Sequence, residues 1–392
     1  MKHNYYRASL TETIRYFLAL LCDKTTNKRY FISQGLGLER RAHECSGFWD
    51  SYLQYAQEQQ ETFLRGLNCD TLTVLGAGRL YDLNLEQLNQ HFKNIELVDA
   101  DALCLPNWKR KLKRFGAVKK LVSDKNEKIT CWNIENVNYF FTIEEISGLF
   151  AEWTTEIEKI IKSYKSVDLK RLIETLNSYF STFLDTPKSG DAKHWGHLLR
   201  NATHTSSRSV IFSQNILSQI GNFWFGILLQ KLKKEFSHKL CAEAEDSLTQ
   251  LNVLTNRILY AKHFADLDTA NAEYIFITTD LETCNYWLKP ITITDALKET
   301  APAWNATRKC WKFPHPHLIK NAEHSTVLSC LDAHDDYNKF FEKYLSHYKL
   351  IYSDFTLWHV KPPGLENTTH GTVNYVGFFG LQRINMATLH KP

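Results

Sequence analysis

The stretch from Thr71 to Leu83, TLTVLGAGRLYDL, is an apolar run that breaks on Gly76-Ala77-Gly78, and a second apolar run, IELVDAD, ends on Asp99. The pattern reads as a strand, a glycine turn, a helix and a second strand tipped with a carboxylate. A glycine turn lets backbone approach a ligand where any Cβ would collide with it. A carboxylate closing the second strand accepts paired hydrogen bonds from ribose hydroxyls. Asp99 lies 23 positions after Gly76, near the roughly 20-residue spacing of nucleotide-type cofactor sites.

The same alternation extends along the chain. Helices are expected at 9–22 and 46–67, the second with Trp49, Tyr52, Leu53, Ala56, Phe63, Leu64 and Leu67 on one stripe. Strands at 71–76 and 94–99 flank a short helix at 85–92. The segment LPNWKRKLKRF follows as a helix whose basic run, Lys109 to Arg114, reads as a solvated face. KITCWNI (128–134) reads as a third strand. Thr142-x-x-Glu145 then caps a helix through Ile161, and a second helix runs 168–184, so the two form a hairpin inserted in the α/β series as a lid. After a polar segment, 185–208, come a fourth strand (209–214), helices near 222–236 and 242–264, and a fifth strand at 272–278. A helix at 335–348 precedes two terminal strands that form an antiparallel pair at a sheet edge.

Strands alternating with helices predict a doubly wound α/β fold: a mostly parallel seven-stranded sheet with an antiparallel C-terminal edge strand, N-terminal helices and the inserted hairpin. The expected organisation is a helical cap over 1–68 and an α/β domain over 69–392, with the hairpin at 142–184 inside it.

Bulk properties narrow the setting. With 392 residues the chain can bury a sizeable core, and a net charge of +4 gives no strong nucleic-acid or membrane signal. Nine scattered cysteines form no CxxC pair, which speaks for reduced thiols and a cytoplasmic setting. YFLALLC (16–22) is too short to span a bilayer. Glu12 and Leu21 make it a poor signal peptide, and Ser9-Leu10-Thr11-Glu12 reads as a capping box opening a buried helix.

A dinucleotide site would carry GxGxxG or GxGxxA, yet the last small position here is Tyr81. VLGAGRLYDL instead resembles the first motif of class I S-adenosylmethionine (SAM) methyltransferases, IELVDAD their second and ITCWNIENV their third. SQNILSQIGN resembles the loop after their fourth strand, which faces the methyl group. The tail LWHVKPPGLENTTHGTVNYVGFF resembles the final strand pair of a group of bacterial methyltransferase-like proteins of unassigned function. The likeness covers roughly residues 40 to 390, apart from the hairpin and parts of 281–334.

That resemblance implies SAM as cofactor, held by Gly76, Ala77, Gly78, Asp82, Asp99, Ala100, Asn133 and Ile134. Asn133 would accept from the adenine amino group and Ile134 lie against the adenine face. Val74 and Leu80 stand where the family has an acid and a third glycine. Asp82 or Asn215 would then meet the amino group of the methionine moiety. Asn215 is also the candidate catalytic residue, orienting the acceptor, with helix capping as its other reading. The implied activity is methyl transfer to a small molecule or protein side chain. Two other classes stay open: a catalytically inactive methyltransferase-fold binding or interaction module, and an NAD-dependent dehydrogenase. Lesser candidates are Arg40 or Arg41 for an acidic group, His194, His197 and His204 as a base or metal site, His315 and His317, and Glu366; no metal is expected.

Overall fold

The computed structural model describes residues 28–124, 127–164, 169–184, 208–236, 244–286, 303–305, 310–312, 322–326, 336–361 and 371–384, with 14, 16, 17, 195 and 198 besides. Tyr16 and Phe17 are helical; the rest of YFLALLC, the three histidines upstream of the fourth strand, His315, His317 and Glu366 lie outside the described residues.

The sheet is α/β and doubly wound, as the alternation predicts. At its centre run five parallel strands in the order β5 (Val137–Ile143), β2 (Asn94–Asp99), β1 (Thr71–Leu75), β6 (Ser209–Gln214) and β7 (Tyr274–Tyr286). The C-terminal strand β12 (Gly371–Arg383) pairs antiparallel with β7 and with β11 (Tyr348–Lys361), which forms the edge. Six of these seven strands match the expected sheet; β5 takes the place expected for 128–134. On the far side β3 (Val118–Asp124) and β4 (Glu127–Ile134) add an antiparallel meander to β5, and β10 (Ala322–Thr326) pairs with β7, giving ten strands among the described residues. A separate short pair, β8 (Ala303–Asn305) and β9 (Cys310–Lys312), completes the strands.

The meander corrects one expectation. KITCWNI is not the third parallel strand: β4 runs antiparallel, and VNYFFTI, which starts three residues after β4 ends, lies parallel beside β2. Register pairs Ile134 with Val137, so Glu135-Asn136 form a two-residue turn, and Glu135 takes φ +52°, as tight hairpins require. The helix expected from Thr142 begins only at Phe150.

Strand alternation sends side chains to two cores. Leu75, Val98, Ile211, Ile275 and Ile277 face α5 (Phe150–Ser163), α6 (Leu169–Ser181), α7 (Ile216–Glu235) and α8 (Glu245–Thr269). Leu72, Val74, Ile95, Leu97, Phe212 and Phe276 face the other side, which carries α2 (Ser46–Leu64) and α4 (Cys104–Arg114). The α5–α6 pair fills the crossover from β5 to β6; Trp153 and Phe180 pack on Trp224 of α7. It belongs to the helical layer, and none of its residues lines the cavity described below.

The cavity is roofed by a helix the sequence reading lacked, α1 (Lys28–Glu44). Phe31 stacks on Phe150 and meets Phe223 edge-on, while at its other end Glu39 reaches the Arg79 guanidinium. No helix of the described residues is long and apolar enough to cross a membrane, and these residues hold no cluster of metal-ligating side chains.

Candidate functional site

At the carboxyl ends of β1, β2 and β6 lies a cavity of about 260 Å³ lined by Gly76, Ala77, Gly78, Asp82, Asp99 and Asn215, among others. The glycine turn is held to β2: the Gly76 and Ala77 amides donate to the Val98 carbonyl at 3.0 and 3.1 Å. Gly76 has φ +69°, and a Cβ there would sit 2.6 Å from Ile216 Cδ1 and 2.7 Å from the Gln214 carbonyl oxygen. Only glycine meets both demands. The Gly78 amide donates to Asp99 Oδ2 at 2.8 Å and the Asp101 amide to Asp99 Oδ1 at 2.9 Å. Burial raises the Asp99 pKa, and those two amides oppose the rise.

Past the turn the chain stays irregular until α3 (Leu85–His91), whose N-cap Asn84 takes the Glu86 and Gln87 amides. The intervening carbonyls are tied down by neighbouring helices. Trp108 Nε1 donates to Gly78 and Lys111 Nζ to Leu80, while Gln57 and Gln60 of α2 donate to Tyr81 and Asp82. Leu80 keeps φ +58°, the conformation that a third glycine would adopt, although it is a buried leucine.

Arg79 turns inward. Its guanidinium donates to Glu39 Oε1 at 2.6 Å, Asp101 Oδ2 at 2.7 Å and Cys104 Sγ at 2.7 Å, with the side chain 1% exposed. Burial opposes its charge, but Cys104, Asp101 and Glu39 outweigh that and raise its pKa. α1 approaches this group through Gly35, where a Cβ would lie 1.7 Å from Asp101 Oδ2. Asp82 has no such cation beside it: burial pushes its pKa up to about 6, against a weaker pull from Lys111. Asp101 also reaches about 6, through burial that Arg79 partly offsets.

The opposite wall comes from the strands beyond β6. β7 pairs with β6 only as far as Thr278 and then continues to Tyr286 against β12, so β7, β12 and β11 stand above the parallel sheet. From β11 and β12 come Trp358, Val360 and Asn374, and from α2 Trp49 and Tyr52. Tyr52 stacks on Trp358 at 4.8 Å between ring centroids, and Trp49 meets Trp358 edge-on at 5.2 Å. Gln214, 4% exposed, has neither amide atom partnered among the described residues; nor have Trp358 Nε1 and Asn374 Oδ1.

Thus the structure brings together Gly76, Ala77, Gly78, Asp82, Asp99 and Asn215. Asn215 stands at the N-cap of α7 with φ +52°, but its side chain makes no capping bond and lines the cavity. Ala100 packs against the helical layer instead of lining the cavity. Asn133 and Ile134 are elsewhere. Asn133 pairs with Asn138, which sits opposite Asn94 at the amino end of β2, so it lies at the far end of that strand from Asp99. Its amide donates to the Val137 carbonyl and Asn138 Oδ1, and Lys120 donates to it, which makes it a sheet-closing residue. Arg41 lines the cavity from the last turn of α1, with its Nε unpartnered among the described residues; Arg40 pairs with Glu44.

No protein-family model matches the chain, and no curated protein matches it either. Solved structures similar to it include a SAM-dependent methyltransferase from Clostridium acetobutylicum, 10% identical over 84% of this chain and 92% of that one, TM-score 0.31. Another is a SAM-dependent methyltransferase from Anabaena variabilis, 8% identical over 86% and 94%, TM-score 0.28. Likenesses at such TM-scores carry no functional weight.

Proposed function

We propose that this protein is a SAM-dependent methyltransferase acting on a small molecule or a protein side chain. One observation supports the reading above all: the glycine turn, Asp99 and Asp82 line a single cavity at the carboxyl edge of the parallel strands. Its residues fit the cofactor's chemistry. Each Asp99 oxygen accepts one backbone amide and keeps lone-pair capacity for a ribose hydroxyl. Asp82 offers a carboxylate to an ammonium group, in place of the acid absent at Val74, and Arg41 offers a guanidinium to a carboxylate.

When bound, SAM supplies a methyl carbon made electrophilic by its sulfonium. The protein's part is alignment, since a displacement at that carbon gains most from holding the reactants in line. Asn215, at the end of β6, orients the acceptor. The α1 roof and the wall of aromatic rings exclude water.

The glycine turn disfavours a dinucleotide. A pyrophosphate is held by free amides at a helix N-terminus, yet α3 opens at Leu85, past the turn, with two of its amides already satisfied by Asn84. A catalytically inactive binding module on this fold draws support from Val74, which is fully buried and offers the cofactor no acid.

Titration calorimetry with SAM, S-adenosylhomocysteine and NADH tests the reading. We expect micromolar binding of the first two, none of NADH, and about 100-fold weaker binding to Asp99→Ala, the loss of two hydrogen bonds to a carboxylate. Failure of both sulfur ligands to bind the wild-type protein overturns it.

A further inference from the structure

The cavity extends past the glycine turn to the strands beyond β6. From Asp99 on β2 to Asn374 on β12 the sheet order passes β1, β6 and β7, four strand steps or about 19 Å at the usual spacing. The two ends differ in chemistry. The carboxylates of Asp99 and Asp101 stand at the β1–β2 end, and Asp82 lies between the two ends, within electrostatic reach of Tyr52. At the other end the lining offers stacked rings, Tyr52 on Trp358 with Trp49 beside them, and neutral amides. Gln214 presents an unpartnered donor and an unpartnered acceptor, Trp358 Nε1 a donor and Asn374 Oδ1 an acceptor, all buried. Trp358 and Asn374 are register partners across the β11–β12 ladder, so their groups emerge side by side.

A buried polar group without a partner costs free energy, and these four atoms belong to residues that line one cavity, where a ligand or water would satisfy them. Its donors and acceptors are interleaved and uncharged. A carboxylate or phosphate would face the lone pairs of Asn374 Oδ1 and Gln214 Oε1, and an ammonium would leave Trp358 Nε1 and Gln214 Nε2 unanswered. A flat ring carrying adjacent N–H donor and acceptor atoms answers both and stacks along the aromatic wall.

Resting on the methyltransferase reading, we propose that the wall end is the acceptor subsite and takes a flat, uncharged nitrogen ring or ring-bound amide with neighbouring hydrogen-bond donor and acceptor. Free bases and the bases of a nucleic-acid strand share this chemistry.

The test is calorimetric titration of protein saturated with S-adenosylhomocysteine, which occupies the nucleoside end. The probes are cytosine, nicotinamide, benzoate, benzylamine and a hexamer of deoxycytidine. We expect cytosine or nicotinamide to bind at least tenfold more tightly than benzoate and benzylamine, and Asn374→Leu and Trp358→Phe each to weaken that binding about tenfold. A hexamer that outcompetes free cytosine identifies a strand as the source; the reverse identifies a small molecule. Equal or tighter binding of the charged rings, or binding by none of the probes while S-adenosylhomocysteine binds, overturns the subsite. If S-adenosylhomocysteine itself fails to bind, the parent reading falls, and the same titration on ligand-free protein decides the subsite by the same criteria.

Discussion

Around Arg79 the hydrogen bonds close within the protein: a buried guanidinium meets Glu39, Asp101 and Cys104, and the Asp99 carboxylate is held by two amides. Across the sheet, Gln214, Trp358 and Asn374 bury polar atoms that the described residues leave unanswered. The two ends of one cavity therefore divide the work. The first is set before any ligand arrives, which fixes the glycine turn and docks α1. The second reaches its full complement of hydrogen bonds only when something occupies it. Under the proposed function, such a site positions its cofactor rigidly and leaves the wall end unfilled at some cost in stability.

Substitution at each end should move stability in opposite directions. Arg79→Leu leaves Glu39 and Asp101 buried without their cation, and we expect a loss of about 3–5 kcal/mol in urea unfolding. A loss under about 1 kcal/mol would show that this end is not internally closed. The pH profile comes next in size. Asp82 and Asp101 hold protons to about 6 when folded, against about 3.9 in the unfolded chain. The folded state thus binds more protons between those values, and stability falls as pH rises from 4 to about 6, then levels off. Asp82→Asn should remove about 2–3 kcal/mol of that fall, read from unfolding midpoints at pH 4 and pH 7.

At the other end, Gln214→Leu replaces an unpartnered buried amide by an apolar group of similar size. The ligand-free protein should gain about 1–2 kcal/mol while ligand binding weakens. A loss of stability would break the contrast. An effect of similar size is expected at Leu80→Gly: relief of the left-handed backbone returns about 1 kcal/mol, less than the roughly 2–3 kcal/mol of apolar burial removed, so a net loss of about 1–2 kcal/mol should appear in the same unfolding assay.

Much of this was legible in the sequence, and the failures have physical causes. The apolar runs of β1, β2, β6 and β7 are buried on both faces and read plainly. β5 was hidden because Thr142-x-x-Glu145 imitates a capping box, whereas Glu145 takes the Ser147 amide and α5 starts at Phe150. That slip carried Asn133 and Ile134 to the wrong end of β2. α1 was hidden by Gly35 and Gly37, which normally weaken a helix by about 1 kcal/mol each; Gly35 is there because Asp101 leaves no room for a Cβ. The glycine turn, Asp82, Asp99 and Asn215 line one cavity, and local pattern is enough to bring them there. Gln214, Trp358 and Asn374 were not legible in the sequence, since β6, β11 and β12 meet only through the sheet order, and Trp49 and Tyr52 read as an ordinary core stripe.

The most direct test of the central claim is a crystal structure of the protein soaked with S-adenosylhomocysteine. The account places the ribose hydroxyls on the Asp99 carboxylate, the amino-acid end beside Asp82 and Arg41, and the wall of Trp358 and Asn374 clear of the ligand. A ligand bound at the Asn133 end of β2, or lying against Trp358 and Asn374 with Asp99 untouched, would contradict it.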